Sequence, residues 1–167
     1  MRRGTGQAIG GKAMGGYDLF MEDFAPGDRF VTEGETVTES QVIDFAMQWD
    51  PQPYHTNARH PRTVAQGGLM ASGFHTVCMT FRQFQMDGVI GAAALASPGI
   101  DKLRWLKPVR PGDTLHVESE VVSVRRFESK PDRGAVTMEH RTVNQDGERV
   151  FSCECTHILQ CRDGGGG

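Results

Sequence analysis

Two prolines two residues apart, Pro51 and Pro53, limit what this chain can fold into more than any other feature. Neither is tolerated in a helix interior, and each drives the residue before it, Asp50 and Gln52, toward extended backbone angles. The helical pattern ahead of them must stop at this point, so Asp50-Pro51-Gln52-Pro53-Tyr54-His55 reads as a stiffened turn. At a spacing of five, an ideal helix sets Asp50 and His55 well apart around its barrel, and an ideal strand puts them on opposite faces. Only a turn brings this carboxylate and this imidazole together.

The flanks support such a turn. Thr38-Glu39-Ser40-Gln41 matches a capping box, and Val42, Phe45, Ala46 and Trp49 follow at spacings of three, four and three, which predicts a helix running to Trp49. Asp50 then sits at the negative end of that helix, an arrangement that raises a carboxylate's pKa and suits a proton donor. Thr56 to Gln66 is polar and reads as loop or short irregular helix, and Gly67-Gly68 punctuates it. From Leu69 to Met86 the residues Met70, Phe74, Val77, Phe81 and Phe84 recur at spacings of four, three, four and three, predicting a long buried helix. Its first turn, Ala71-Ser72-Gly73, is small enough for another backbone or a ligand to approach. Asp87-Gly88 ends it.

The rest is strand-like. Arg29 to Val37 is β-rich, and Ile100 to Leu106 leads into a bend at Lys107 to Asp113. Thr114 to Arg126 shifts its apolar phase between Val121 and Val122, which predicts a bulge. Ala135 to Val143 and Arg149 to Cys161 flank the hairpin turn Asn144-Gln145-Asp146-Gly147. No βαβ alternation occurs, so the fold class is α+β: long antiparallel strands with one central helix. The glycine-rich segments 1–16 and 163–167 read as flexible tails around one domain over 17–162.

With 167 residues and 38% hydrophobic content, the chain supports one ordinary core. A net charge of −3 and a pI near 6.1, without a basic run, exclude nucleic acid as the partner. No apolar run reaches the ~18 residues of a membrane span and no secretory signal is present, so the reading is a cytoplasmic protein with no membrane partner. Cys78, Cys153, Cys155 and Cys161 lack framework spacing and are expected as reduced thiols. Cys153, Cys155, His157 and Cys161 share a strand face, yet a straight strand spreads the first and last over about 26 Å, too far for one metal.

Three segments taken together resemble the MaoC-like hydratases of the hot-dog fold: Asp50-Pro51-Gln52-Pro53-Tyr54-His55, Gly68-Leu69-Met70-Ala71-Ser72-Gly73, and Trp105 to Leu115 with its Lys-Pro-Val-Arg-Pro-Gly-Asp-Thr-Leu core. They run in the family's order, and the resemblance covers about residues 18–159. It implies an antiparallel sheet wrapped around a central helix, and a homodimer or higher homo-oligomer with acyl-thioester sites near the subunit interface. The implied reaction is reversible addition of water to a trans-2-enoyl thioester, usually of coenzyme A, giving the (R)-3-hydroxyacyl product. Coenzyme A then enters as part of the substrate, and no separate cofactor or metal is implied.

In the family pattern Asp-x-Asn-Pro-x-His, Asp50 and His55 correspond to the acid/base pair that holds the water, with the division of roles open. The position matching the backbone donor to the thioester oxygen is Gly73, at a helix N-terminus. Gln52 stands where the pattern has Asn, and Ser72 where characterised members commonly have His. Ser72 reads as a cap or packing residue, because no nucleophile-elbow spacing surrounds it. His75 reads as a core histidine. Arg59, Arg62, Arg82, Lys102, Lys107 and Arg110 are candidates for contacts to coenzyme A phosphates among a solvated surface. Two other functions fit the same fold: a hot-dog acyl-CoA thioesterase using Asp50 to activate water, and a module that binds acyl thioesters without turning them over.

Overall fold

The computed structural model describes residues 19–91 and 93–162; the tails expected at 1–16 and 163–167 lie outside them. After a 3-10 turn at Met21–Asp23 come two short strands, β1 (Arg29–Val31) and β2 (Glu35–Thr36). The single strand expected over Arg29 to Val37 is thus divided. Four helices follow, α1 (Glu39–Trp49), α2 (Pro53–Thr56), α3 (Pro61–Ala65) and α4 (Gly73–Met86), and then β3 (Ala94–Ala96), β4 (Ile100–Trp105), β5 (Thr114–Arg126), β6 (Arg133–Val143) and β7 (Arg149–Gln160). The strands pair antiparallel in the order β1-β5-β6-β7-β3, with β2 also on β5 and β4 also on β7. The α+β architecture is therefore an antiparallel sheet carrying one long helix.

Local signals in the sequence act as their chemistry requires. The Thr38 hydroxyl accepts from the Gln41 N–H, and the Gln41 side chain accepts from the Thr38 N–H at 2.8 Å, closing the capping box of α1. Gly147, with φ of 75°, completes the hairpin turn by donating its N–H to the Asn144 carbonyl at 3.1 Å. The register of β5 on β6 shifts between Val121 and Ser123, so Val122 is the bulged residue and is exposed. Among the described residues, no helix is long and apolar enough to cross a membrane.

The central helix departs from expectation in two ways. It begins at Gly73 rather than Leu69, because Met70 and Ala71 donate their N–H groups to the Tyr54 and Val109 carbonyls instead of entering a helix. The face it buries also differs: His75, Thr76, Thr80, Gln83 and Phe84 lie inside, whereas Phe74 is 62% exposed. This stripe is largely polar, so the apolar periodicity misplaced it. The sheet beneath answers in kind. Thr80 shares a 2.6 Å hydroxyl hydrogen bond with Thr142, and Thr32 donates to the Gln83 side chain at 3.2 Å. Phe84, fully buried among Val121, Val136, Met138 and Leu159, supplies the apolar anchor, for about 1.5–3 kcal/mol.

Under α4 runs a hydrogen-bonded chain whose Ser119, His140 and His157 are buried on the strands. Ser119 on β5 meets His140 Nδ1 at 2.8 Å, the two Nε2 atoms of His140 and His157 approach to 3.3 Å, and His157 Nδ1 meets Ser97 at 3.2 Å. Ser97 Oγ donates to the Thr156 carbonyl at 2.9 Å, so it accepts from His157 Nδ1–H. His157 Nε2 then accepts from His140 Nε2–H, and His140 Nδ1 accepts from Ser119. One tautomer at each ring satisfies every bond, and both rings must be neutral. Cys153, Cys155 and Cys161 are buried on β7 and just beyond it as small apolar groups, and among the described residues no cluster of potential metal ligands forms.

Burial pushes the His140 imidazole down to about 3, with His157 beside it as a lesser cause, and the His157 imidazole down to about 4. The unfolded chain therefore binds protons that the native state refuses. Stability that is complete above about pH 6.5 falls as pH drops toward 4, each tenfold weakening of a ring's proton affinity being worth about 1.4 kcal/mol. Urea unfolding between pH 7 and 4 is expected to show this slope, and His140→Gln to flatten it while lowering stability at pH 7.

Candidate active site

Helix α1 ends where the prolines require it. The Asp50 N–H still donates to the Ala46 carbonyl at 2.9 Å, but its φ and ψ of −155° and 69° have left the helix. The chain turns once, with the Gln52 N–H donating to the Asp50 carbonyl at 2.7 Å. It then restarts as α2, with Gln52 as N-cap and Pro53 in the first turn, where its missing N–H costs nothing. His55 thus sits on a one-turn helix, more ordered than the loop expected from the sequence. It is 4% exposed, held edge-to-face by Tyr54 at 4.5 Å between ring centres.

The segment ahead of α4 is stitched to α2. His55 Nδ1 lies 2.7 Å from the Met70 carbonyl, and the Met70 N–H donates to the Tyr54 carbonyl at 3.1 Å. A carbonyl only accepts, so Nδ1 carries the proton and Nε2 is the atom presented to Asp50, 3.4 Å from its Oδ2. The Arg110 guanidinium clamps the same segment by donating to the Gln66, Gly68 and Leu69 carbonyls at 2.6, 3.0 and 3.1 Å. These bonds employ Arg110 in structure and take it off the set of candidate phosphate contacts. Arg82, Lys102 and Lys107 are paired with Glu35, Glu154 and Glu148.

Both Asp50 oxygens are occupied. The hydroxyl of Ser72 donates to Oδ2 at 2.7 Å, and the Gln52 amide donates to Oδ1 at 2.8 Å, so the longer side chain at the departure from the family pattern makes its own brace. Tyr54 in turn donates its hydroxyl to the side-chain amide oxygen of Gln52. The Ser72 hydroxyl, followed by the Gln52 amide and the neighbouring His55, holds the Asp50 carboxyl below the ordinary aspartate range despite opposing desolvation. This corrects the expectation of a raised value. The C-terminal dipole of α1 is outweighed by a direct hydrogen bond to the ionised form.

Ser72 is fully buried and caps α4, accepting from the Phe74 N–H at 3.2 Å. Its cap role agrees with the sequence reading, and the bond to Asp50 adds a second. The Gly73 N–H, in the first turn of a 14-residue helix, has no hydrogen-bond partner among the described residues. A cleft of about 430 Å³ opens here, lined by Asp50, Gln52, His55 and Gly73 together with Met70, Trp105 and other apolar neighbours. Four of the five predicted site residues thus share one cavity, and Ser72 lies behind Asp50. Thr76 and Trp105 also line the cleft, neither of them among the predicted site residues; Trp105 opens the third of the three segments that carry the resemblance. His75 is buried as expected, stacked on Phe45 at 4.5 Å, but its Nδ1 has no hydrogen-bond partner.

An antiparallel sheet on a central helix, with a carboxylate, an imidazole and an unbonded helix N-terminal amide in one cleft, defines a hot-dog domain of the hydratase type. The chain belongs to the MaoC like domain family, which it matches over residues 23–144. It is 39% identical to a MaoC-like dehydratase from Rhodospirillum rubrum of known structure, covering 86% of this chain and 98% of that one with a TM-score of 0.80. It is also 44% identical over 74 residues to the mesaconyl-CoA hydratase of Cereibacter sphaeroides, a match spanning 44% of this chain and 21% of that protein. A Mycobacterium tuberculosis protein with a double hot-dog fold shares the architecture at 19% identity and a TM-score of 0.66, over 89% of this chain and 46% of that one.

Ser72→Ala is expected to raise the Asp50 pKa toward the ordinary range, read from its side-chain carboxyl resonance in an NMR titration. It should also cost about 1–3 kcal/mol at pH 7 by urea unfolding. A depressed carboxylate contributes stability above the unfolded pKa and loses it as pH falls, so the part of this cost owed to Asp50 should shrink in acid.

A Cβ at Gly73 would lie 2.6 Å from Trp105 Cε2, so the indole requires glycine there. Gly73→Ala is expected to displace the ring, changing tryptophan fluorescence and lowering stability by about 1–3 kcal/mol.

Proposed function

We propose that this protein is an enzyme that adds water reversibly to trans-2-enoyl thioesters, with coenzyme A as the carrier and an (R)-3-hydroxyacyl thioester as product. The observation that carries the reading is the Asp50–His55 pair, Oδ2 to Nε2 3.4 Å, opening on the same cleft as the unbonded Gly73 amide. The 44% identity to a mesaconyl-CoA hydratase over 74 residues supports a coenzyme A thioester, and the (R) configuration is the one implied by the sequence resemblance.

The hydrogen bonds favour one division of labour. Addition needs one group that removes a proton from water and another that delivers a proton to the α-carbon. Asp50, kept ionised by Ser72 and Gln52, has only acceptor capacity and serves as the base. His55 takes part as the imidazolium: one proton stays on Nδ1, fixed on the Met70 carbonyl, and the second, on Nε2, is the one delivered. The reverse assignment would start from a protonated Asp50, which its surroundings disfavour.

As the water oxygen bonds to the β-carbon, the carbon–carbon π pair shifts toward the α-carbon and the thioester oxygen gains charge. The Gly73 N–H, at the positive end of α4, meets that oxygen. Protonation at the α-carbon completes addition and leaves Asp50 protonated and His55 neutral. Transfer of that proton from Oδ2 to Nε2 restores the starting pair. Dehydration runs the same steps backwards.

A homodimer belongs to this reading. β4 pairs only with β7 among the described residues, so its other edge is free and exposes Ile100, an edge of the kind a second copy covers.

The test is incubation with a panel of 2-enoyl-CoA thioesters, following loss of the conjugated double bond and release of free thiol together. Hydration gives the first signal alone, a thioesterase gives the second, and a binding module gives neither. Asp50→Asn and His55→Ala are each expected to lower turnover by about 10²–10⁴-fold with an unchanged circular dichroism spectrum. Near-normal turnover in either variant would show that the pair is not the catalytic unit.

A further inference from the structure

Trp105, the last residue of β4, has a relation to the site that its place in the sequence gives no hint of. Its Nε1–H donates to the Gly73 carbonyl at 2.8 Å, and its ring lies so close over Gly73 that a Cβ there would come within 2.6 Å of Cε2 and 2.7 Å of Nε1. A Cβ stands about 2.5 Å from its own backbone nitrogen, so the indole edge lies within about 5 Å of the Gly73 nitrogen. An oxygen accepting from that N–H sits about 2.9 Å from the same nitrogen. The indole therefore borders the residue whose amide would hold such a group. The ring is 51% exposed, lines the cleft with Asp50 and His55, and stands edge-to-face with Phe74 at 6.1 Å.

Because the only polar atom of the indole is turned inward onto Gly73, the surface it offers the cleft is purely apolar. Leu106, 51% exposed, and Phe74, 62% exposed, extend that surface. We propose that Trp105 is a positioning and specificity residue: its Nε1–H anchors the Gly73 carbonyl and with it the residue whose own N–H, in the preceding peptide, is the donor, and its ring is the wall against which the thioester and the adjoining acyl carbons lie. This rests on the hydratase reading, and it identifies the recognised part of the substrate as apolar carbon next to the thioester.

Two variants separate the two roles. Trp105→Phe keeps an aromatic wall and loses the donor, so kcat on 2-butenoyl-CoA should fall about five- to tenfold with KM within about twofold. Trp105→Ala removes the wall, so KM should rise and the preference among acyl chains should shift toward longer ones. Trp49 and Trp105 are the two tryptophans of the chain, so Trp49→Phe leaves Trp105 as the sole indole reporter. Butanoyl-CoA, which has no double bond to hydrate, should then shift and quench the emission in a saturable manner.

Turnover with a silent Trp105 signal, or with kcat and chain preference unchanged in both variants, would overturn this inference and leave the hydratase reading standing. A saturable signal without turnover would support the wall and sink the hydratase. Absence of both would remove both.

Discussion

The hydrogen bond from Ser72 to Asp50 joins the end of one helix to the start of another, and the geometry of the cleft depends on it. Asp50 closes α1 and Ser72 opens α4. A carboxylate at the negative end of a helix is poorly placed when that helix is considered alone. Here the cap of the next helix supplies a donor at 2.7 Å, with the Gln52 amide on the other oxygen at 2.8 Å. Two helix ends with complementary needs meet at one side chain. The same turn of α4 leaves the Gly73 N–H without a hydrogen-bond partner among the described residues, and Gly73 lines the cleft, so the bond that fixes Asp50 also fixes its distance from Gly73.

The rest of the fold holds these two helix ends in place. Val109 accepts from Ala71, Arg110 binds three carbonyls of the preceding loop, and Trp105 binds the Gly73 carbonyl, so the segment from β4 to β5 grips the approach to α4 at three levels. On its other side α4 is seated on the sheet through Thr80 with Thr142 and through Phe84 against His140 and His157. A buried polar seam has one satisfied arrangement and gives the helix little freedom to rotate or slide. An all-apolar interface would tolerate more registers, which would spread the position of Gly73.

Local chemistry was readable before any fold was known. The capping box at Thr38, the end of α1 at Trp49, the bulge at Val122 and the turn at Asn144 to Gly147 each follow from residues within a few positions of one another, and the structure has all four. The start of α4 was misread because Met70 and Ala71 spend their N–H groups on Tyr54 and Val109, partners 16 and 38 residues away, which a periodicity does not register. Its buried face was misread for a related reason. Thr80 and Gln83 are inside with Thr142 and Thr32 opposite them, and Thr76 is inside with its hydroxyl on the Ser72 carbonyl; an apolar periodicity does not register such residues.

By itself the sequence determined that Asp50 and His55 flank a proline-stiffened turn, that this turn follows a capped helix, and that the chain is α+β, because prolines, caps and strand alternation act over short range. The resemblance added which residues to look for. Only the tertiary structure decided the direction in which the Asp50 pKa is moved, reversing the expectation drawn from one helix dipole, since Ser72 comes from 22 residues away. It also decided that Trp105 stands over Gly73, a contact across 32 residues between a strand end and a helix start. Short-range rules place a side chain on an element, and the environment that sets its chemistry is assembled from elements far apart in the chain.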